Sequence, residues 1–126
     1  MGSTHHAIED LACLSSLQNV KCWVPAFADE VESSINTIVA EGKPTYLRLG
    51  VGNQCPTDST ELGSIKWVNK SEHPLASVVA LGPTANNVLA AIEKGGLQNQ
   101  INVFTALTLP LTPSDQFFEI VKKTPN

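Results

Sequence analysis

VKCWVPAFADEVESSINTIVAEGKPTYLRL, residues 20–49, decides the fold. Val20 to Val24 is a run of β formers stopped by Pro25. Then Val31, Ile35, Ile38 and Val39 recur at helical spacing, with Asp29, Glu30 and Glu32 in the first turns, where a helix dipole favours anions. Gly42 is a natural helix stop, and Thr45 to Leu49 is the next strand. Strand, helix and strand with short joints form a βαβ unit, whose crossover is right-handed and whose strands are parallel.

Outward from this unit the pattern repeats once. Upstream, Ile8, Leu11, Ala12, Leu14 and Leu17 make a short helical stripe. Downstream, Gly50 to Gly63 is rich in Gly, Ser, Thr and Asp and carries little apolar pattern. Residues 51–75 are therefore read as a linker, with an extra strand allowed over Ser64–Asn69. Ala76 to Leu81 is an apolar strand, and Gly82-Pro83-Thr84 turns into a helix with Val88, Leu89 and Ile92 on one side. Ile101 to Leu107 is a further strand. Thr112-Pro113-Ser114-Asp115 has the form of a capping box with Pro at the first helical position, ahead of a helix faced by Phe117, Phe118, Ile120 and Val121. The expected architecture is α/β: two small partial lobes, 1–50 and 76–126, with parallel strands at 20–24, 45–49, 76–81 and 101–107. Each lobe has few strands for a sheet that wants cover on both faces, so association through open edges is expected.

Composition narrows the function. The 126 residues carry a net charge of −4 with scattered cations, which argues against nucleic acid as a partner. No 18-residue apolar run exists, and Met1 to Asp10 lacks the apolar core of a signal peptide, so no membrane segment is expected. Cys13, Cys22 and Cys55 form no C-x-x-C pair. Cys13 and Cys22 fall inside predicted elements and read as small buried thiols, and the setting reads as a reducing cytoplasm.

Gly2-Ser3-Thr4-His5-His6-Ala7-Ile8-Glu9-Asp10 resembles the G-x-T-H-[HQ]-x-x-E/D motif of the pyrimidine-binding domain in transketolases and deoxyxylulose-phosphate synthases. Asn19 and Val24-Pro25-Ala26 fall where that family reads "PN…VPA", and Glu30 or Glu32 falls near its next glutamate. Gly42 to Gly50 is similar to its "GPxYIRLG", and Ala76 to Asn126 resembles the start of its C-terminal domain. Gln18 replaces the proline of "PN", and Phe27 stands where the family has an aspartate.

The resemblance implies a function. Thiamine diphosphate in this family sits between two subunits, with its diphosphate and magnesium held by a G-D-G…N motif that this sequence lacks. The glutamate that activates the cofactor lies upstream of the G-x-T-H segment. The chain is therefore expected to be a transketolase-like fragment or subunit. It would contribute to a shared thiamine diphosphate and sugar-phosphate site for two-carbon ketol transfer and be inactive alone. The implied partner is another copy, or a chain supplying the N-terminal transketolase domains with the bound Mg. His5 matches the histidine facing cofactor and substrate, and suits proton transfer near neutral pH. Gly2 would let the backbone approach the cofactor closely. Arg48 matches an arginine that holds a sugar phosphate through its planar fork.

Plainer readings stand beside these. His5-His6 after Met-Gly-Ser is also the pattern of an expression-tag remnant. Arg48 also reads as a surface charge at a strand end, and Glu9 and Asp10 as complements to a helix dipole. Gly82-Pro83-Thr84 reads as a phosphate cradle or as a plain helix start. The alternative for the whole chain is a non-catalytic, truncated α/β module that self-associates.

Overall fold

Val20 to Leu49 does fold as a βαβ unit. In a computed structural model, which describes residues 9–125, β1 (Lys21–Trp23) runs parallel to β2 (Thr45–Leu47), with Cys22 opposite Tyr46. Between them lies α2 (Glu30–Glu41), which ends at Gly42 with φ +60°, its N–H donating to Ile38 O. Ahead of them lies α1 (Asp10–Ser15), which buries no residue fully. The apolar stripe of α2 is only partly used. Ile35 and Val39 are exposed, Val39 at 74%, and the buried residues of the helix are Glu30 and Ser34.

The segment expected to be a linker contains β3 (Thr60–Leu62) and β4 (Ile65–Asn69), an antiparallel hairpin. It joins β5 (Ala76–Leu81) and β6 (Ile101–Ala106) in a sheet of order β3-β4-β6-β5. β5 and β6 are parallel through six residue pairs, joined by α3 (Thr84–Lys94). All four expected parallel strands are present, and the additional strands are antiparallel. The last of these, β7 (Thr108–Leu109), leaves the second sheet and pairs antiparallel with β1, so the two lobes share strand pairing.

Alternation along β6 builds the core. Val103 faces α3 with Ala85, Ile92, Val68 and Ala80. Phe104 points the other way, with Leu62, Ile65 and Phe117. Phe117 belongs to α4 (Asp115–Val121) and meets Phe104 edge-on at 5.1 Å, while Trp67 stacks on Phe104 at 5.6 Å. The second sheet thus has a helix on each face, the arrangement its apolar strands require.

Three local expectations need correction. Ser114 is the N-cap of α4 with extended backbone, but its hydroxyl makes no capping bond and is buried without a partner among the described residues; Phe117 N–H donates to Ser114 O instead. Pro113 therefore precedes the cap. Cys22 is fully buried as expected, and burial pushes its thiol up, but Cys13 is exposed. No described helix is long and apolar enough to cross a membrane.

Candidate functional site

β2 ends at the surface beside α1 and the first turn of α3. Tyr46 and Arg48 lie two residues apart, so they leave the strand on one side. Both reach Asp10 at the start of α1. The Tyr46 hydroxyl donates to Asp10 Oδ2 at 2.6 Å, and Arg48 Nη1 donates to Oδ1 at 2.9 Å. The Tyr46 hydrogen bond, with help from the Arg48 charge, holds the Asp10 carboxyl below its usual range; the same bond raises the Tyr46 phenol. Arg48 is anchored through its backbone, whose N–H donates to Trp23 O at 2.8 Å, while its side chain stays 42% exposed.

Beside this cluster is a cavity of about 350 Å³, walled by Arg48, Gly50, Leu11, Val24, Leu81 and Pro83. Two glycines set its shape. A Cβ on Gly50 would lie 2.6 Å from Pro83 Cγ. Gly82 has φ +56°, and a Cβ there would lie 2.3 Å from Val24 Cγ1.

Side-chain bonds hold the lobes in register around the cavity. Asn86 Nδ2 donates to Ala26 O at 2.8 Å and to Pro83 O, while its Oδ1 accepts from Asn53 N–H at 3.1 Å. Glu30 Oε2 accepts from the N–H groups of Ala26 and Phe27 at 3.0 and 3.1 Å, and its Oε1 pairs with Lys66 on β4. Burial pulls the Lys66 pKa down, but the Glu30 hydrogen bond and charge outweigh it and the net shift is upward. Ala26 is thus gripped at both its N–H and its C=O.

Of the expected site residues, Arg48 lines the cavity, whereas Gly2 and His5 lie outside the described residues. The Gly82-Pro83-Thr84 turn behaves as a helix start. Its N–H groups are used internally, Ala85 to Gly82 O and Asn86 to Pro83 O, and the Thr84 hydroxyl donates to Leu81 O at 2.6 Å. Asp10 is more than a dipole complement, and neither its role nor that of Tyr46 or Lys66 was read from the sequence. The i, i+2 pairing of a phenol with a guanidinium in 45–49 was the available signal.

A larger groove, about 690 Å³, opens at the other end of β1 near Asn19, Lys43 and Pro110. Its Lys21 and Glu41 pair with each other at 2.9 Å, which leaves it less to offer a ligand than the Arg48 cavity. Among the described residues no group of three or more His, Cys, Asp or Glu converges to hold a metal ion. These residues do not fit the metal-bound diphosphate end of a cofactor. They fit an anion beside an apolar wall.

The family model described as transketolase, pyrimidine binding domain, matches residues 1–56. The chain is 26% identical over 98 residues to 1-deoxy-D-xylulose-5-phosphate synthase of Myxococcus xanthus, covering 73% of this chain and 16% of that protein. It therefore spans under a fifth of the length of this curated relative. The fold of Campylobacter jejuni transketolase superposes with a TM-score of 0.74 over 92% of this chain and 20% of that one, at 14% identity. A split gene transketolase, an inactive beta4 tetramer, matches at 27% identity and a TM-score of 0.66, over 82% of this chain and 36% of that one. Residues 1–56 match the pyrimidine-binding domain of the transketolase family, and the chain shares its fold with solved transketolases.

Proposed function

We propose that this chain supplies part of a thiamine diphosphate and sugar-phosphate site for two-carbon ketol transfer, completed by a second chain, and that it does not turn over alone. In this reading residues 1–50 are the C-terminal half of a pyrimidine-binding domain, 51–75 the connection, and 76–126 the N-terminal half of a C-terminal domain. The cofactor supplies the carbanion chemistry when bound. The second chain holds its diphosphate and Mg.

The observation that carries the proposal is Arg48. It is half-exposed on an apolar cavity, with one edge fixed by Asp10, in the family's "YIRLG" position. A fixed guanidinium presents N–H donors that match phosphate oxygens. The split gene transketolase described as an inactive beta4 tetramer supports a chain that needs a partner. Cys13, Cys22 and Cys55 are all free thiols, which supports a reducing, cytoplasmic setting.

The test is reconstitution with a chain supplying the N-terminal transketolase domains, thiamine diphosphate, Mg and a phosphorylated ketose. Arg48→Ala should raise the apparent KM about tenfold or more with kcat kept, because a phosphate contact made equally in the ground and transition states is uniform binding. His5→Ala should lower kcat. A complex indifferent to both substitutions would show that these roles do not belong to these residues.

A second reading is favoured by the exposed Ile35, Val39 and Val51, the last at 98%. In it the chain is a non-catalytic module that self-associates. Stable homo-oligomers that gain no activity with any such partner would support it over the first.

A further inference from the structure

An arginine beside a carboxylate normally closes into a two-bond fork, guanidinium against both oxygens. That has not happened here. Asp10 Oδ2 is taken by the Tyr46 hydroxyl at 2.6 Å, within the range of a charge-assisted O–H···O⁻ bond, and only Oδ1 is left for Arg48 Nη1. A guanidinium has five N–H donors. Among the described residues Arg48 spends one of them, although Asp10 stands against it.

We propose that Tyr46 is a positioning residue that keeps Asp10 from closing on Arg48, so that most of the guanidinium's donors stay available to an anion in the adjoining cavity. The inference rests on the reading of Arg48 as a phosphate-binding residue. The phenol is suited to this task by its setting. Tyr46 is fixed in β2 opposite Cys22, half-buried, and on the same side of the strand as Arg48. Its hydroxyl therefore reaches the carboxylate from a direction set by the sheet. Asp10 in turn holds Arg48 by one edge, which orients the fork without consuming it. Remove the phenol, and Oδ2 is free to take a second guanidinium N–H. The arginine is then neutralised by an internal anion in the geometry a phosphate would use.

The experiment follows the side-chain nitrogen resonances of Arg48 by NMR in the full chain, first alone and then titrated with inorganic phosphate. Four proteins are compared: wild type, Tyr46→Phe, Asp10→Asn and the double variant. Without phosphate, Tyr46→Phe should show a second Arg48 N–H drawn into a hydrogen bond. With phosphate, the wild-type resonances should shift saturably, and Tyr46→Phe should bind about fivefold more weakly, the scale of one charge-assisted hydrogen bond partly lost to competition. Asp10→Asn should bind at least as tightly as wild type, and the double variant should match Asp10→Asn, because Tyr46 acts only through Asp10. A double variant as weak as Tyr46→Phe would mean that the phenol serves folding alone, and would overturn the proposal. So would an Arg48 pattern in Tyr46→Phe identical to wild type. If Tyr46→Phe closes the fork but Arg48 ignores phosphate in all four proteins, the phosphate reading itself fails, and the proposed consequence with it.

Discussion

The two lobes are built from the same kind of unit but are held together differently. β5-α3-β6 sits in a four-stranded sheet with α3 on one face and α4 on the other, and Val103 and Phe104 are wholly buried on opposite sides. β1-α2-β2 has three-residue strands, an outer helix whose Ile35 and Val39 face outward, and a third strand that comes from the other lobe. The lesson is that the first lobe carries the candidate site without carrying its own core. Its order depends on ties to the second lobe, above all Glu30 to Lys66 and Asn86 to Ala26.

The sharpest way to break that contrast is at its buried points. Phe104→Ala should destabilise the chain by about 3–5 kcal/mol, since it opens the cavity that Trp67 and Phe117 now fill against. Glu30→Ala should also cost about 3–5 kcal/mol by leaving the buried Lys66 ammonium with only the exposed Glu61 carboxylate, 3.9 Å away, and two N–H groups unbonded. Urea unfolding measures both. Small losses in either would show that the lobes do not rely on these contacts.

A weaker effect should appear with pH. The folded Asp10 carboxyl is held below its ordinary value of 3.8, first by Tyr46 and then by other bonds including Arg48. A depressed carboxylate stabilises the fold above the unfolded pKa and loses that contribution as pH falls through the folded one. Unfolding midpoints measured from pH 6 down to pH 2 should therefore fall less steeply below about pH 4 in Asp10→Asn than in wild type. Equal slopes would remove Asp10 as an anchor of α1.

The smallest effect separates the two faces of α2. Ile35→Ser and Val39→Ser should each change the unfolding free energy of a dilute monomer by no more than about 0.5 kcal/mol, as exposed positions do. A cost of 2 kcal/mol or more would place these side chains in a core within one chain.

Much of this fold was legible in the residues. Val20–Val24 and Thr45–Leu49 alternate with a capped, acid-led helix, and Ala76–Leu81 and Ile101–Leu107 are apolar runs of strand length, so the parallel pairs followed. Of the hairpin at Thr60–Asn69 the second strand was legible as an extra strand over Ser64–Asn69, but β3 was not, because it is three residues long and carries Glu61, whose partner Lys66 meets it only in three dimensions. β7 was hidden for a related reason: two residues joined to the other lobe leave no periodicity. At the candidate site Arg48 was readable from its strand-end position. Asp10 was not, since its partners are 36 and 38 residues away and helical spacing alone makes it a dipole complement.

Whether the site is completed by another chain can be read in a single assay. Ketol transfer from a phosphorylated ketose is measured with thiamine diphosphate and magnesium while a chain supplying the N-terminal transketolase domains is titrated into a fixed amount of this one. This chain alone should show no turnover, activity should rise with the added chain, and it should saturate at a fixed stoichiometry. Turnover by the lone chain at a rate the added chain does not change would contradict completion by another chain.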